Sequence, residues 1–306
     1  TNIKYLVDNG INIWNKDAYN YYSTIFDIKY PNYLQNKFKL NEFVERIKHN
    51  ENNLNNFQNL NIKLGDLGRV YGAQLRNWTN IRIDEYDEGS YLGSKVNYVD
   101  QFAELINTLK TNPMATKKTV TFWNPAEKDE CALTPCHWSF EILVEPIYKE
   151  CEDTKFWYNY KQGCGCSELD SANCIGNFKQ KYQFTLKWHQ HSCDVFLGEP
   201  FNIASYALLA QIIGKMTNMI PKGIIGDLSN VHIYEPHLDA VKEQLSRDVD
   251  KYDKSQVGIT ADKSFEIKNP NLNIDEFLNN LEINNFKLLD YKSYPKIPAE
   301  MLAYNK

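Results

Sequence analysis

Residues 190–206 read QHSCDVFLGEPFNIASY, in which a hydroxyl (Ser192), a carboxylate (Asp194) and a carboxamide (Asn202) fall between glycine and proline breaks. A folded core has no use for such a row, because each polar group buried without a partner costs about 1–3 kcal/mol. A ligand that supplies the partners explains the spacing better. A second candidate stands upstream, where Cys136 lies between Pro135 and His137 in the run ALTPCH. A lone cysteine is commonly a small buried hydrophobe. It is also the softest nucleophile among the side chains once it is ionised.

Together these segments resemble the folate-dependent thymidylate synthases. The likeness is carried by Ser192-Cys193-Asp194-Val195-Phe196-Leu197-Gly198 followed by Pro200-Phe201-Asn202-Ile203, and by Leu133-Thr134-Pro135-Cys136-His137. It extends over residues 1–20, 64–76, 100–141 and 181–303, including VHIY at 231–234 and YPKIPAEML at 294–302. The resemblance implies an α+β fold, a mixed twisted sheet packed with helices, and a homodimer formed through that sheet. It implies the reductive methylation of dUMP, or a related pyrimidine nucleotide, to dTMP. The co-substrate would be 5,10-methylenetetrahydrofolate, both carbon donor and reductant, so that no metal or nicotinamide is needed.

The same resemblance implies roles residue by residue. Cys136, with His137 beside it, would be catalytic: its thiolate adds to C6 of the pyrimidine and makes C5 an enolate carbon able to attack a one-carbon unit. Asn202 would pair with O4 and N3, and a carboxamide there favours uracil because it offers both a donor and an acceptor. Gln190 belongs to the same substrate grip. His232 and Tyr234 would hold the sugar 3′-hydroxyl, and Ser192 the phosphate. Trp14 would lie over the transferred carbon and exclude water, while Asp194, Leu197, Gly198 and Phe201 would contact the pterin. Tyr71 and Arg76 match positions near the floor of the site, where Leu75 replaces a common tryptophan.

The departures concern the phosphate. His191 stands where the family has an arginine, and Lys117 and Lys118 stand where it has two arginines given to the partner subunit. Ammonium groups bind phosphate as point charges, without the bidentate geometry of guanidinium. The resemblance also places several dozen family residues ahead of the segment matching Thr1, with a further arginine and a glutamate that organises water. Two rival readings follow from these departures. One is a pyrimidine-nucleotide hydroxymethylase on the same scaffold, against which the retained Trp14 argues. The other is a non-catalytic nucleotide-binding homolog.

The elements that must position these groups are legible in outline. A chain of 306 residues, 42% of them hydrophobic, can bury one large core or two smaller ones. The span of the resembling blocks favours a single domain over 1–306, with surface insertions at about 21–62 and 146–181. Within the first insertion, Phe38, Leu40, Phe43, Val44 and Ile47 have helical spacing. Residues 101–111 place Phe102, Leu105, Ile106 and Leu109 on one helical face, capped by Asp100 and stopped at Pro113. Residues 118–124 and 182–189 alternate as strands do. Helices are expected after Phe201 and over 236–247, and the absence of a repeating βαβ pattern argues α+β.

Composition excludes other classes. The net charge is −5 with the signs interspersed, so no basic face advertises nucleic acid. The run FNIASYALLAQIIGKM is too short to span a bilayer and reads as a buried central helix. With no signal peptide visible, a cytoplasmic protein is expected. Four of the seven cysteines, Cys151, Cys164, Cys166 and Cys174, cluster in the second insertion. They are read as loop thiols, with a tetrahedral structural zinc site or disulfides as alternatives.

Overall fold

The computed structural model describes residues 2–29, 31–32, 37–49, 64–83, 94–147, 181–248, 250–252, 274–279, 281 and 292–302. The chain divides into two units, one built on residues 1–102 and 120–139, the other on residues 103–119 and 140–302. The cysteine-rich stretch at Cys151, Cys164, Cys166 and Cys174 lies outside the described residues. Among the described residues, no helix is long and apolar enough to cross a membrane.

In the first unit, helices α1 (Lys4–Asp8), α2 (Asn15–Lys29) and α3 (Leu40–Lys48) enclose an aromatic core. Ala18, Tyr22 and Phe26 recur every four residues along α2, and Phe43 and Ile47 do so on α3, so each helix buries one face. Tyr22 stacks on Phe38 at 5.9 Å between centroids and meets Phe43 at 5.2 Å. This corrects one expectation. The described parts of 21–62 are not a surface appendage, because Tyr22, Phe26, Phe43 and Ile47 are all buried in the unit's core with Ile3, Val7 and Leu64. The segment looks polar because Asn and Lys fill the outward positions, while the apolar residues keep helical register.

Gly68 makes the next connection. Its φ is +71°, and a Cβ there would stand 1.9 Å from the carbonyl oxygen of Glu130, so only glycine fits. The close approach lets Arg69 N donate to Glu130 O at 3.1 Å and Ala132 N to Leu67 O at 2.9 Å. Those bonds pin the segment leading to Cys136. Helix α4 (Tyr71–Arg76) follows, then the antiparallel pair β1 (Trp78–Ile83) and β2 (Ser94–Val99). Asp100, expected to cap the next helix, pairs its carboxylate with Arg76 Nε at 2.7 Å.

Helix α5 (Gln101–Thr111) begins in the first unit and continues in the second, with Phe102, Leu105, Ile106 and Leu109 all buried as the spacing requires. Strand β3 is shorter than expected, only Thr119–Thr121. The ladder ends there because Phe122 N and Trp123 N share the single carbonyl of Trp138, at 2.8 and 3.4 Å. A four-stranded sheet has the order β3-β4-β5-β7, with β4 at His137–Pro146, β5 at Tyr182–Gln190 and β7 at Ile220–Leu228. The fold is α+β with a mixed sheet, as expected.

Strands β5 and β7 are parallel, so the chain must cross over between them. The crossover is the long helix α6 (Gly198–Thr217). It packs through its second half, where Tyr206, Ala210, Ile213, Gly214 and Met216 are buried. Its first turns are open, Phe201 being 61% exposed, so only half of it is the buried helix the sequence led us to expect. Trp188 on β5 stacks on Tyr206 at 4.9 Å and 12°. A Cβ on Gly226 of β7 would come within 2.5 Å of the same indole, so that glycine makes room for the stack. Two short parallel strands, β6 (Cys193–Asp194) and β8 (Val231–His232), pair Asp194 with His232. The expected helix over 236–247 is a 3-10 turn, Glu235–His237, running into α7 (Leu238–Leu245). Pro236 suits that turn because its missing N–H would have no partner there. A last helix, α8, covers Ile274–Asn279.

Candidate active site

Cys136, the expected nucleophile, lies in the first unit. Cys136 is half-buried, and its backbone N–H donates to the phenol oxygen of Tyr71 at 2.8 Å. Tyr71 in turn sets its ring edge-on to His137 at 5.7 Å and to Phe122 at 5.5 Å. Burial, and then the neighbouring Cys136, holds the Tyr71 phenol far above its ordinary range, so it works as a neutral group. Burial also pushes the Cys136 thiol up. In the folded protein the protonated thiol is therefore favoured over the thiolate. Trp14 is partly buried against the aromatic core, as is Tyr71.

A part-buried ion pair lies in the same unit. Glu127 Oε2 receives Arg69 Nε at 2.6 Å and Gln74 Nε2 at 2.8 Å. Burial alone would raise the Glu127 carboxyl, but hydrogen bonds from Arg69, Thr79 and Gln74 outweigh it and hold it below the usual range. A second thiol, Cys131, points at the Glu127 carbonyl at 3.5 Å. It too is raised, first by burial and then by Glu127 and Glu130. No local motif singles out Glu127, since Arg69, Gln74 and Thr79 lie 48 to 58 positions away.

The second unit carries the expected polar groups. Gln190 is 4% exposed, and both ends of its carboxamide are used. Its Oε1 accepts from Trp188 Nε1 at 3.4 Å, while its Nε2 donates to Ser192 O at 2.7 Å and to Asn202 Oδ1 at 3.2 Å. An indole only donates and a backbone carbonyl only accepts, so Gln190 has one orientation. Asn202 is thereby oriented as well: its oxygen faces Gln190 and its Nδ2 is left as the donor.

Asp194 Oδ1 accepts the backbone N–H groups of Phe196 and Leu197 at 3.2 and 3.3 Å, closing the turn that launches α6. Leu197, Gly198 and Phe201 sit at the start of that helix, so the strand pairing and the turn gather the expected pterin positions of this unit at one helix end. His232 Nδ1 stands 2.8 Å from Asn230 O. A carbonyl cannot donate, so in the neutral ring Nδ1 carries the hydrogen and Nε2 is an acceptor. That Nε2 is buried and has no hydrogen-bond partner among the described residues. Tyr234 meets the His232 ring at 5.0 Å and 82°.

The cationic positions divide. His191 and Lys117 are exposed. Lys118 is buried, donates to Pro113 O at 2.7 Å and has its ammonium pKa lowered by burial. Two groups escaped the sequence reading. Glu199 on the first turn of α6 receives the buried Cys193 thiol at 2.6 Å, and His237 is buried beside Tyr234. Glu199 lies in the run 190–206 and His237 opens the run 237–247, but neither has a role in the sequence reading. Among the described residues, no group of three or more His, Cys, Asp or Glu side chains could hold a metal ion.

An α+β fold that carries a half-buried thiol, an oriented carboxamide and an acceptor imidazole is compatible with pyrimidine-nucleotide chemistry. The family model for thymidylate synthase matches residues 1–303, and the chain belongs to the thymidylate synthase family. A thymidylate synthase of Mesoplasma florum is 32% identical over 301 residues, covering 98% of this chain and 76% of that protein. One of Mycoplasma genitalium is 35% identical over 264 residues, with 86% and 68% covered, and one of Saccharomyces cerevisiae 34% over 240 residues, with 78% and 64%. The activity is that of a thymidylate synthase, a methyltransferase.

Proposed function

We propose that Cys136 is the nucleophile of this reaction and that Asn202, oriented by Gln190, selects uracil. The Cys136 thiolate adds to C6 of dUMP, and the electron pair of the C5–C6 bond moves onto C5 and O4. C5 then attacks the methylene carbon of the folate and loses its proton to solvent as the folate nitrogen leaves that carbon. Hydride from the folate reaches the exocyclic methylene as the thiolate is expelled from C6. Asn202 assists because its Nδ2 donates to O4, where negative charge develops. The second lone pair of its Oδ1 accepts N3–H. Cytosine offers an amino donor and an unprotonated N3 at those positions, so both contacts fail.

The orientation of Gln190 and Asn202 is the observation that carries this reading. His232 Nε2 accepts the sugar 3′-hydroxyl, with Tyr234 beside it. Ser192, His191 and Lys117 hold the phosphate; the bond from Lys118 to Pro113 makes Lys117 the better cation of that pair. The co-substrate is 5,10-methylenetetrahydrofolate, which supplies both the carbon and the hydride. The open face of Phe201 and the Asp194 carboxylate suit a flat, hydrogen-bonding pterin, and Trp14 keeps water from the transferred carbon. His137 lines the same site through its contact with Tyr71.

The chain acts as a single catalytic domain in a homodimer. Its contact surface is the outer face of β4, β5 and β7, where Leu143 and Ile225 are 46% and 48% exposed. A charged row of Glu141, Lys187, His189 and Asp227 crosses the same face. A free nucleophilic thiol is best preserved in a reducing compartment, which favours the cytoplasm. The test is product analysis with dUMP, dCMP and methylenetetrahydrofolate. We expect dTMP from dUMP, no hydroxymethyl product, and little turnover of dCMP. Equal turnover of dUMP and dCMP would overturn the role given to Asn202, and a hydroxymethyl product the role given to Trp14.

A further inference from the structure

His237 is buried, 2% exposed, in a row of rings that begins beside Asp194. Phe196 lies 5.4 Å from the imidazole at 51°, Tyr234 lies 5.8 Å away at 82°, and Tyr234 meets His232 at 5.0 Å. The backbone N–H of His237 closes the 3-10 turn on Tyr234 O at 2.9 Å. Its Nε2 stands 2.7 Å from the carbonyl oxygen of Glu300. That carbonyl accepts only, so Nε2 is the donor. The imidazole therefore ties the described C-terminal segment, residues 292–302, to the residues that precede α7.

A tyrosine side chain has two free torsions, and its hydroxyl must be fixed to within a few tenths of an ångström to hold a sugar hydroxyl. The His237 and His232 rings each meet the Tyr234 ring at 82°. The His237 ring is itself held at both ends, by the turn at its backbone and by Glu300 at its tip. We propose that His237 is a positioning residue for the sugar of the nucleotide: its bond to Glu300 sets the Tyr234 ring, and Tyr234 with His232 then engages the 3′-hydroxyl. This rests on the assignment of His232 and Tyr234 to that hydroxyl.

The test compares wild type, His237→Leu and His237→Gln on dUMP and on the 3′-deoxy analogue, 2′,3′-dideoxyuridine monophosphate. Wild type should lose about tenfold in kcat/KM on the analogue, the worth of one good hydrogen bond. His237→Leu should raise KM for dUMP by about the same factor with kcat within about twofold, and should add almost nothing to the loss already seen on the analogue. His237→Gln returns an N–H within reach of Glu300 O and should recover most of the loss, which also separates the effect from misfolding. Equal penalties for His237→Leu on both substrates, or a fall in kcat at constant KM, would show a merely structural residue and overturn the proposal. If wild type does not distinguish the two substrates, the sugar assignment itself falls, and this inference with it.

Discussion

Cys136 and Asn202 are held by different physics. On the first unit, Cys136 is seated by packing: Tyr71 leans on Phe122 and on the aromatic core of Tyr22, Phe38 and Phe43, and its phenol oxygen accepts the Cys136 backbone N–H. On the second unit, Asn202 is set by a chain of directed bonds running Trp188, Gln190, Asn202, with Asp194 closing the adjacent turn. Packing is non-directional and fixes where an atom is. Hydrogen bonds have polarity and fix which way a group faces. A nucleophile needs the first, because sulfur attacks from a position. A base reader needs the second, because uracil and cytosine differ only in the sense of their hydrogen bonds.

That contrast can be broken experimentally, most severely at the thiol. Cys136→Ser should lower kcat by about a thousandfold or more, since an alcohol is neither as soft nor as readily ionised, with dUMP binding nearly unchanged in equilibrium dialysis. Phe43→Ala should cost about 3–5 kcal/mol in denaturant unfolding and reduce the yield of active enzyme without altering the preference for dUMP over dCMP. Gln190→Leu should do the reverse. Freed from its fixed partner, Asn202 can turn its amide, and the ratio of kcat/KM for dUMP to that for dCMP should fall by about tenfold, with stability changed less than in Phe43→Ala.

A pH profile sharpens the picture of the thiol. Burial raises Cys136, so the folded enzyme favours the protonated form. Its alkylation by iodoacetamide, followed by peptide mass mapping to separate it from Cys131, should be slower at neutral pH than that of a free thiol. It should accelerate as pH rises past the ordinary thiol range, near about 8.5. By the same linkage, the contribution of the buried thiol to stability is full below that range and is lost as pH climbs through the raised value. A rate that is flat with pH and fast at neutrality would mean that a cation already ionises Cys136.

Periodicity made much of the scaffold legible. The four apolar residues of α5 and the inward side chains Phe184, Leu186 and Trp188 of β5 stand where a period of 3.6 or 2 puts them. The same rule, applied more strictly, gives the burial of Lys118, which precedes β3 and shares the inward phase of Val120 within it and Phe122 after it. The charge of the lysine pair drew attention away from it. The described parts of 21–62 were misread for a related reason, because Asn-rich surroundings hide an aromatic stripe. Contacts such as Cys136 to Tyr71 or His237 to Glu300 join positions more than sixty residues apart. No local pattern carries them; they exist only once the chain has folded. The polarity of Asn202 belongs to this class too, since it depends on which atom of Gln190 the indole of Trp188 occupies.

The claim that Cys136 attacks a uracil nucleotide is tested most directly by trapping it. The enzyme is incubated with 5-fluoro-dUMP and 5,10-methylenetetrahydrofolate, and the intact protein is then weighed and digested. Because fluorine at C5 cannot leave as a proton does, the adduct should persist, adding the mass of nucleotide and folate to the peptide containing Cys136, and the Cys136→Ser protein should show none. Adduct mass on any other peptide, or an equal adduct in Cys136→Ser, would contradict the account.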